Sequence, residues 1–196
     1  MGQAPVREPR LPQLGVDELA LLVASTHYGE EEIHRLHAQF AADVAGGVVA
    51  FSNFQAFLCT VNVESYDVAR MLFRGFDAND DGVVTFHELV RGLSAMTRGT
   101  NEERLHFAFR MYDEDRNGFL TAPSLTRQLA ALEATFGPLR VHGAPPDAPP
   151  VAPAEVVAAA MRRCGDGRMT YMDFVEFAAA TPAVAAALSL HRTPGA

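Results

Sequence analysis

The twelve residues from Asp77 to Glu88, DANDDGVVTFHE, decide how the rest of this chain is interpreted. Gly82 stands at position 6 of the stretch, where a loop wrapped around an ion must turn sharply, and Val84 supplies a β-type apolar residue at position 8. The spacing predicts a loop that surrounds a metal ion with oxygen atoms. Oxygen-bearing side chains occupy positions 1, 3, 5, 9 and 12: Asp77, Asn79, Asp81, Thr85 and Glu88.

These oxygen atoms form the kind of ligand set that calcium prefers, since calcium takes about six to eight oxygen ligands. An acidic, solvated surface turn is the alternative, but a chance turn would not also place the glycine, the valine and the distal glutamate. The stretch therefore predicts an EF-hand calcium loop. The expected ligands are two carboxylates, an amide oxygen, a backbone carbonyl, a hydroxyl acting through water and a bidentate carboxylate, from Asp77, Asp81, Asn79, Val83, Thr85 and Glu88.

Helices are predicted on both sides of this loop, because apolar residues recur at helical spacing before and after it. Thr85 can cap the second helix, with Glu88 three residues later as its reciprocal partner. Glu88 therefore has two compatible interpretations, helix cap and bidentate ligand. The complete ligand set favours the second.

A second loop of the same kind, DEDRNGFLTAPS, runs from Asp113 to Ser124. Asp113, Asp115 and Asn117 occupy positions 1, 3 and 5, and Phe119 offers its carbonyl at position 7. Ser124 stands at position 12, so the bidentate carboxylate is missing. We expect a weak calcium site here, or a magnesium site, because magnesium keeps several waters and binds through only one or two carboxylates.

Two further loops keep the shape of the repeat without its ligands. The one between Phe40 and Phe54 has a Gly46-Gly47 turn and almost no carboxylates, and the one ending at Asp173 has Arg162 in first position. Simple turns between helices would also explain them, but strand pairing explains better why their β-type residues persist. The expected antiparallel pairs are 48–50 with 83–85 and 119–121 with 168–170.

The repeats predict an all-α protein of four EF-hand units in two paired lobes, at residues 16–97 and 98–181. Residues 1–15 are expected to form a tail, and residues 182–196 a short C-terminal helix or tail. The segment 138–153 contains six prolines and is predicted to be a linker. Sixteen basic residues against twenty-four acidic ones, with no basic stripe, argue against a nucleic-acid partner.

Four stretches are similar to the neuronal calcium sensor (recoverin-like) family, within the wider group that includes calcineurin B: residues 26–33, 40–54, 98–113 and 173–177. The resemblance covers roughly residues 16–190. It implies a calcium sensor that regulates a target protein, expected to present an amphipathic helix to a groove that metal binding opens. Phe57, Phe73, Phe76 and Met96 are candidates for lining that groove, and equally for the core.

Other readings of function remain open at this point. A constitutive regulatory subunit similar to calcineurin B would use the metal mainly as a structural element. An enzyme is not expected, because no catalytic constellation lies outside the loops. We expect a cytoplasmic protein, since no secretory signal or spanning apolar run is evident. Association with a membrane depends on myristoylation of Gly2, and Val6 departs from the Ser or Thr of that signal.

Overall fold

The computed structural model describes residues 14–44, 46–138, 149–162 and 164–180, and it is mainly helical. Within these ranges the helices are α1 (Val16–Ser25), α2 (Glu30–Asp43), α3 (Phe51–Thr60), α4 (Tyr66–Phe76), α5 (Phe86–Thr97), α6 (Asn101–Tyr112), α7 (Ala122–Phe136), α8 (Pro153–Met161) and α9 (Tyr171–Ala180). The strands are β1 (Val48–Ala50), β2 (Val83–Thr85), β3 (Phe119–Thr121) and β4 (Arg168–Thr170). Each strand thus lies between two helices.

The strands form two small antiparallel sheets. In one, β1 pairs with β2 so that Val49 lies opposite Val84, and in the other, β3 pairs with β4 so that Leu120 lies opposite Met169. Both pairings and their partners were predicted from the loop positions, and they are confirmed. Each sheet therefore ties two helix–strand–helix units together at their loops.

Local sequence explains where the helices around the central loop begin. Ser65 caps α4, its hydroxyl oxygen accepting a hydrogen bond from the Val68 amide at 3.3 Å. Thr85 caps α5 in a reciprocal box with Glu88, as the sequence predicts. In α7, Pro123 lies in the first turn, where its missing N–H costs little.

The main core runs across both halves of the chain, with buried residues from α3, α4, α6, α7, α8 and α9 and partly buried ones from α5. Its central contact is between α4 and α6, where the rings of Phe76 and Phe107 lie edge to face with centroids 5.3 Å apart. Gly75 permits this approach, because a Cβ there would lie 2.6 Å from the Phe107 ring. A smaller cluster joins α1, α2 and α5. It consists of Leu22, Ile33, Phe40, Phe86 and Val90.

Three predicted segments fall wholly or mostly outside the described residues. They are the tail before residue 14, most of the proline-rich linker, and the C-terminal helix after residue 180, together with Gly2. Among the helices that the structure does describe, none combines the length and apolarity needed to traverse a bilayer.

Candidate metal centre

The Asp77 loop begins where α4 ends and finishes in the first turn of α5. Asp77 terminates α4, its amide donating to the Phe73 carbonyl at 2.8 Å. The chain then turns through two left-handed residues, Asp80 at φ 60° and Gly82 at φ 83°, before β2 begins. The two helices and the strand therefore hold both ends of the loop in fixed positions.

Asp77 is the most deeply buried side chain of the predicted ligand set, with 3% of its surface exposed. Its Oδ2 accepts a hydrogen bond from the Gly82 amide at 3.1 Å, whereas its Oδ1 is buried and accepts none from the described residues. Burial raises the pKa of this carboxyl, against the opposing effects of the Gly82 amide, the Arg116 charge and the Asp80 amide. A buried carboxylate oxygen without a donor is a group that a bound cation would satisfy.

Asn79 and Asp81 are held by hydrogen bonds within the loop. The Asp81 carboxylate accepts from the Val83 amide at 3.0 Å and from the Asn79 side-chain nitrogen at 2.8 Å. The Asn79 side-chain oxygen accepts from the Asp81 amide at 3.2 Å. The side chains at positions 3 and 5 therefore stabilise the turn through the amides that follow them.

Glu88 spans the loop from position 12 back to position 2. Its Oε1 accepts from the Ala78 amide at 3.0 Å, and its Oε2 accepts from both the amide and the hydroxyl of Thr85, at 3.0 and 2.9 Å. The capping role predicted for Glu88 is confirmed, and its role as a ligand stays a prediction. The carboxylate already reaches both ends of the loop.

Within the described residues, no three His, Cys, Asp or Glu side chains converge as a ready-made metal cluster. Two features of the loop account for this. Its carboxylates are hydrogen-bonded to loop amides, and half of the predicted ligands are other oxygens, from Asn79, Val83 and Thr85. An all-oxygen set of mixed type still fits a hard cation such as calcium better than zinc or copper.

The Asp113 loop has the same turn but satisfies its first carboxylate differently. Asp113 is 7% exposed, and both of its oxygens accept hydrogen bonds, from the Asn117 amide at 3.2 Å and the Gly118 amide at 2.9 Å. The Asn117 side chain in turn accepts from the Phe119 amide at 3.2 Å. No counterpart of the free Asp77 oxygen exists at this position.

Position 12 of the Asp113 loop belongs to a side-chain network. The Ser124 hydroxyl donates to Glu114 at 3.1 Å and accepts from the Gln128 amide at 2.9 Å, while Arg127 pairs with the same Glu114 carboxylate. Gln128, which is buried, also donates to the Tyr112 carbonyl at 2.9 Å. Sequence reasoning missed this network, although the carboxylate at position 2 and the glutamine four residues after Ser124 were its visible signals.

Arg116, at position 4 of the Asp113 loop, also escaped prediction. Its guanidinium Nη2 donates to the backbone carbonyls of Asp77 at 2.7 Å and Arg74 at 3.1 Å. Its Nε lies 3.5 Å from the Asp80 carboxylate. A residue of the impaired loop therefore contacts the loop with the complete ligand set.

The loop before α9 is closed by its own terminal aspartate. The Asp173 carboxylate accepts from the Thr170 amide at 2.9 Å and the Thr170 hydroxyl at 2.7 Å, and these bonds lower the pKa of Asp173. Cys164 lies at position 3, and burial raises the pKa of its thiol. Since Asp173 is one methylene shorter than Glu88, it serves the cap without spanning the loop.

Comparison with known proteins relates the chain to calcium-binding proteins. No protein-family model matches the chain. The chain is 34% identical to the calcium-binding protein NCSA of Dictyostelium discoideum over 65% of its own length and 69% of that protein. It is 32% identical to visinin of Gallus gallus over 63% of the chain and 65% of visinin. It is 31% identical to the guanylyl cyclase inhibitory protein of Lithobates pipiens over 52% of the chain and half of that protein.

Proposed function

The chain belongs to the neuronal calcium sensor family of EF-hand proteins, and from this premise we propose that it binds one calcium ion tightly, in the Asp77 loop, and senses it. The aligned region is 69% of the first relative and less of the other two, so the activity of the whole protein is part of the proposal. The proposed ligands are Asp77, Asn79, Asp81, the carbonyl of Val83, Thr85 through water, and Glu88.

The buried Oδ1 of Asp77 is the observation that carries this proposal. An ionised oxygen that is out of water and accepts no hydrogen bond from the described residues destabilises the protein unless a positive charge meets it. Calcium would supply that charge. The affinity expected of such a sensor loop is on the order of 10⁻⁷ to 10⁻⁵ M.

The architecture that we propose is four EF-hand units in two pairs. The support is the repeated helix–strand–helix order and the two strand pairings, β1 with β2 and β3 with β4. The first and fourth units would serve pairing alone. The Asp113 loop would be at most a weak calcium or magnesium site, because Ser124 lacks the carboxylate and Glu114 is paired with Arg127.

A protein target is the proposed partner of the calcium-bound form. The name of the guanylyl cyclase inhibitory protein attributes a protein target to that relative, which supports the same class of partner here. Phe57 is 62% exposed, and Val61 and Tyr66 are exposed beside it along the chain, whereas Phe73 and Phe76 are core residues. An amphipathic target helix would meet the exposed residues directly and the core residues only after the helices open.

Calcium titration of matched variants tests the site. We expect isothermal titration of the wild type to give a stoichiometry near one, and Glu88→Gln to weaken binding by roughly a hundredfold or more, because a bidentate carboxylate becomes a neutral amide. Asp173→Asn is the control, since it makes the same kind of change at position 12 of a loop without ligands. Tight binding that survives in Glu88→Gln would refute the proposed site.

A constitutive regulatory subunit, similar to calcineurin B, is the second candidate function. The observation that favours it is Glu88, whose carboxylate already spans the loop through the Ala78 and Thr85 bonds. Calcium would then stabilise the protein by mass action without opening it. Thermal unfolding combined with binding of a hydrophobic dye separates the two: a sensor gains both melting temperature and dye signal with calcium, and a constitutive subunit gains the melting temperature alone.

A further inference from the structure

The side chain of Arg116 leaves its own loop and lies against the neighbouring one. Arg116 has a left-handed backbone at φ 53°, and 21% of its side chain is exposed. Its hydrogen bond to the Asp77 carbonyl, at 2.7 Å, joins residues 39 positions apart in the chain. The ion pair with Asp80, at 3.5 Å, brings its charge to position 4 of the Asp77 loop.

Two other guanidinium groups, those of Arg74 and Arg110, lie close enough to Arg116 to interact with its charge. Arg74 donates to the Met111 carbonyl and to the Gln128 side chain, both at 3.2 Å, and Arg110 lies near the Arg74 carbonyl at 3.5 Å. Burial lowers the pKa of both Arg74 and Arg110. The charges of Asp77 and Glu88 also act on Arg110, but of these three arginines Arg116 is the one that donates a hydrogen bond to the Asp77 loop itself.

The charge of Arg116 acts on the loop in two opposing ways. Its two carbonyl contacts hold the end of α4 and the start of the loop in place, which favours any ligand that needs this conformation. Its positive charge, however, repels a second cation and already neutralises part of the acidic field of Asp77 and Asp80. Calcium carries two charges and the Arg116 side chain is largely shielded from water, so repulsion outweighs the two hydrogen bonds that the guanidinium donates.

We propose that Arg116 is an affinity-determining residue of the Asp77 loop, a tethered positive charge from the impaired loop that weakens calcium binding by its neighbour. The proposal rests on the proposed function, because it concerns the same calcium site. It gives the Asp113 loop a role that does not require the loop to hold metal. Arg116 is a positioning residue in this account, since it contacts the loop backbone and Asp80.

Three variants separate the charge of Arg116 from its hydrogen bonds. Arg116→Gln keeps a donor but removes the charge, and we expect it to tighten calcium binding roughly three- to tenfold in isothermal titration. Arg116→Lys keeps the charge and should stay within about twofold of wild type. Arg127→Gln removes an equal charge from the same unit, in a residue whose ion pair is with Glu114, and should also change affinity less than about twofold.

Ionic strength provides a readout that a purely structural role would not move. The ratio between the Arg116→Gln and wild-type affinities should shrink as salt is raised from about 0.01 M to 1 M, because screening shortens the reach of the charge. Unchanged or weaker binding in Arg116→Gln, or a ratio independent of salt, would overturn the inference. Calcium binding that persists in Glu88→Gln would instead refute the proposed function, so the two failures are distinguishable.

Discussion

The Asp77 loop and the Asp113 loop share a backbone turn but are closed by carboxylates from opposite ends. In the first, Glu88 at position 12 reaches back to the Ala78 amide at position 2. In the second, Glu114 at position 2 reaches forward to the Ser124 hydroxyl at position 12. Both loops are therefore bridged between the same two positions. What differs is whether the bridging carboxylate belongs to the helix that metal binding is expected to move.

The two units also differ one helical turn beyond loop position 12. Fifteen residues after the first loop position, α5 has Gly92 and α7 has Gln128. Gly92 leaves room for the Phe76 ring, whereas Gln128 fills the equivalent place and bonds to the Tyr112 carbonyl. The Asp113 unit is thus stabilised by side-chain hydrogen bonds of Gln128, whereas in the Asp77 unit the Oδ1 of Asp77 accepts no hydrogen bond from the described residues. This difference predicts which loop depends on metal.

Restoring the missing carboxylate should have the largest effect on the comparison. We expect Ser124→Glu to raise the calcium stoichiometry from one to two, with at least about a tenfold gain in affinity at the Asp113 loop, because position 12 regains a bidentate ligand. Isothermal titration measures this. Ser124→Gln has the same size without the charge and should leave the stoichiometry at one. A second site in both variants, or in neither, would contradict the role assigned to position 12.

The network in the Asp113 unit should matter strongly for stability. Gln128→Leu removes a donor to the Tyr112 carbonyl and should lower the free energy of unfolding by about 1–3 kcal/mol, because the folded state loses a buried hydrogen bond. Denaturant unfolding in chelator measures this cost. Gln39→Leu, on the exposed face of α2, is the control, with an expected change of under about 0.5 kcal/mol. Equal effects of the two substitutions would argue against the network.

Filling the corresponding space in the Asp77 unit should lower the free energy of unfolding somewhat less than Gln128→Leu does. A Cβ at Gly92 would lie 2.3 Å from the Phe76 ring, so Gly92→Ala overpacks the core. We expect a net loss of about 1–2 kcal/mol, since overpacking costs roughly 1–3 kcal/mol and the better helix propensity of alanine returns up to about 1. Adding Phe76→Leu should give a double variant whose free energy of unfolding is higher than the two single losses, added together, would predict. Strict additivity would mean that the ring is not the obstacle.

Neutralising the first carboxylate should have the smallest effect, but with opposite sign in the two loops. Burial holds the pKa of Asp77 in the folded protein above its ordinary value of 3.8. The ionised carboxyl therefore destabilises the folded state at neutral pH, and this cost disappears as pH falls through the folded pKa. In chelator at pH 7, Asp77→Asn should raise the melting temperature slightly, and the advantage should vanish in acid. Asp113→Asn, which loses a bond to a charged acceptor, should lower it.

The strand pairs were predictable because each strand falls at positions 7 to 9 of a twelve-residue loop pattern, and that pattern repeats along the chain. Val49 opposite Val84 follows once two loops are recognised as partners. The helix starts at Ser65 and Thr85 follow from capping chemistry that spans three residues. In each case the deciding contacts are local, or are set by a repeat that the sequence displays directly.

The contacts that distinguish the two loops were not predictable in the same way. Arg116 reads as an ordinary solvated residue at position 4, and only the packing of α4 against α6 brings it to the Asp77 carbonyl. Glu114 reads as one more acidic residue in an acidic loop, and its pairing with Ser124 and Arg127 depends on side-chain directions. The periodicity of apolar residues in the sequence does not indicate which side chains make such contacts.

The edge-to-face contact of Phe76 with Phe107 has a consequence for how the protein unfolds. Because this contact joins α4 to α6 within one continuous core, neither half can lose its packing without exposing apolar surface of the other. Equilibrium denaturation should therefore be a single cooperative transition, with near-equal protection of α4 and α6 amides against hydrogen exchange. Calcium bound in the N-terminal half would then slow amide exchange in the C-terminal half as well, although the ion touches only one of them.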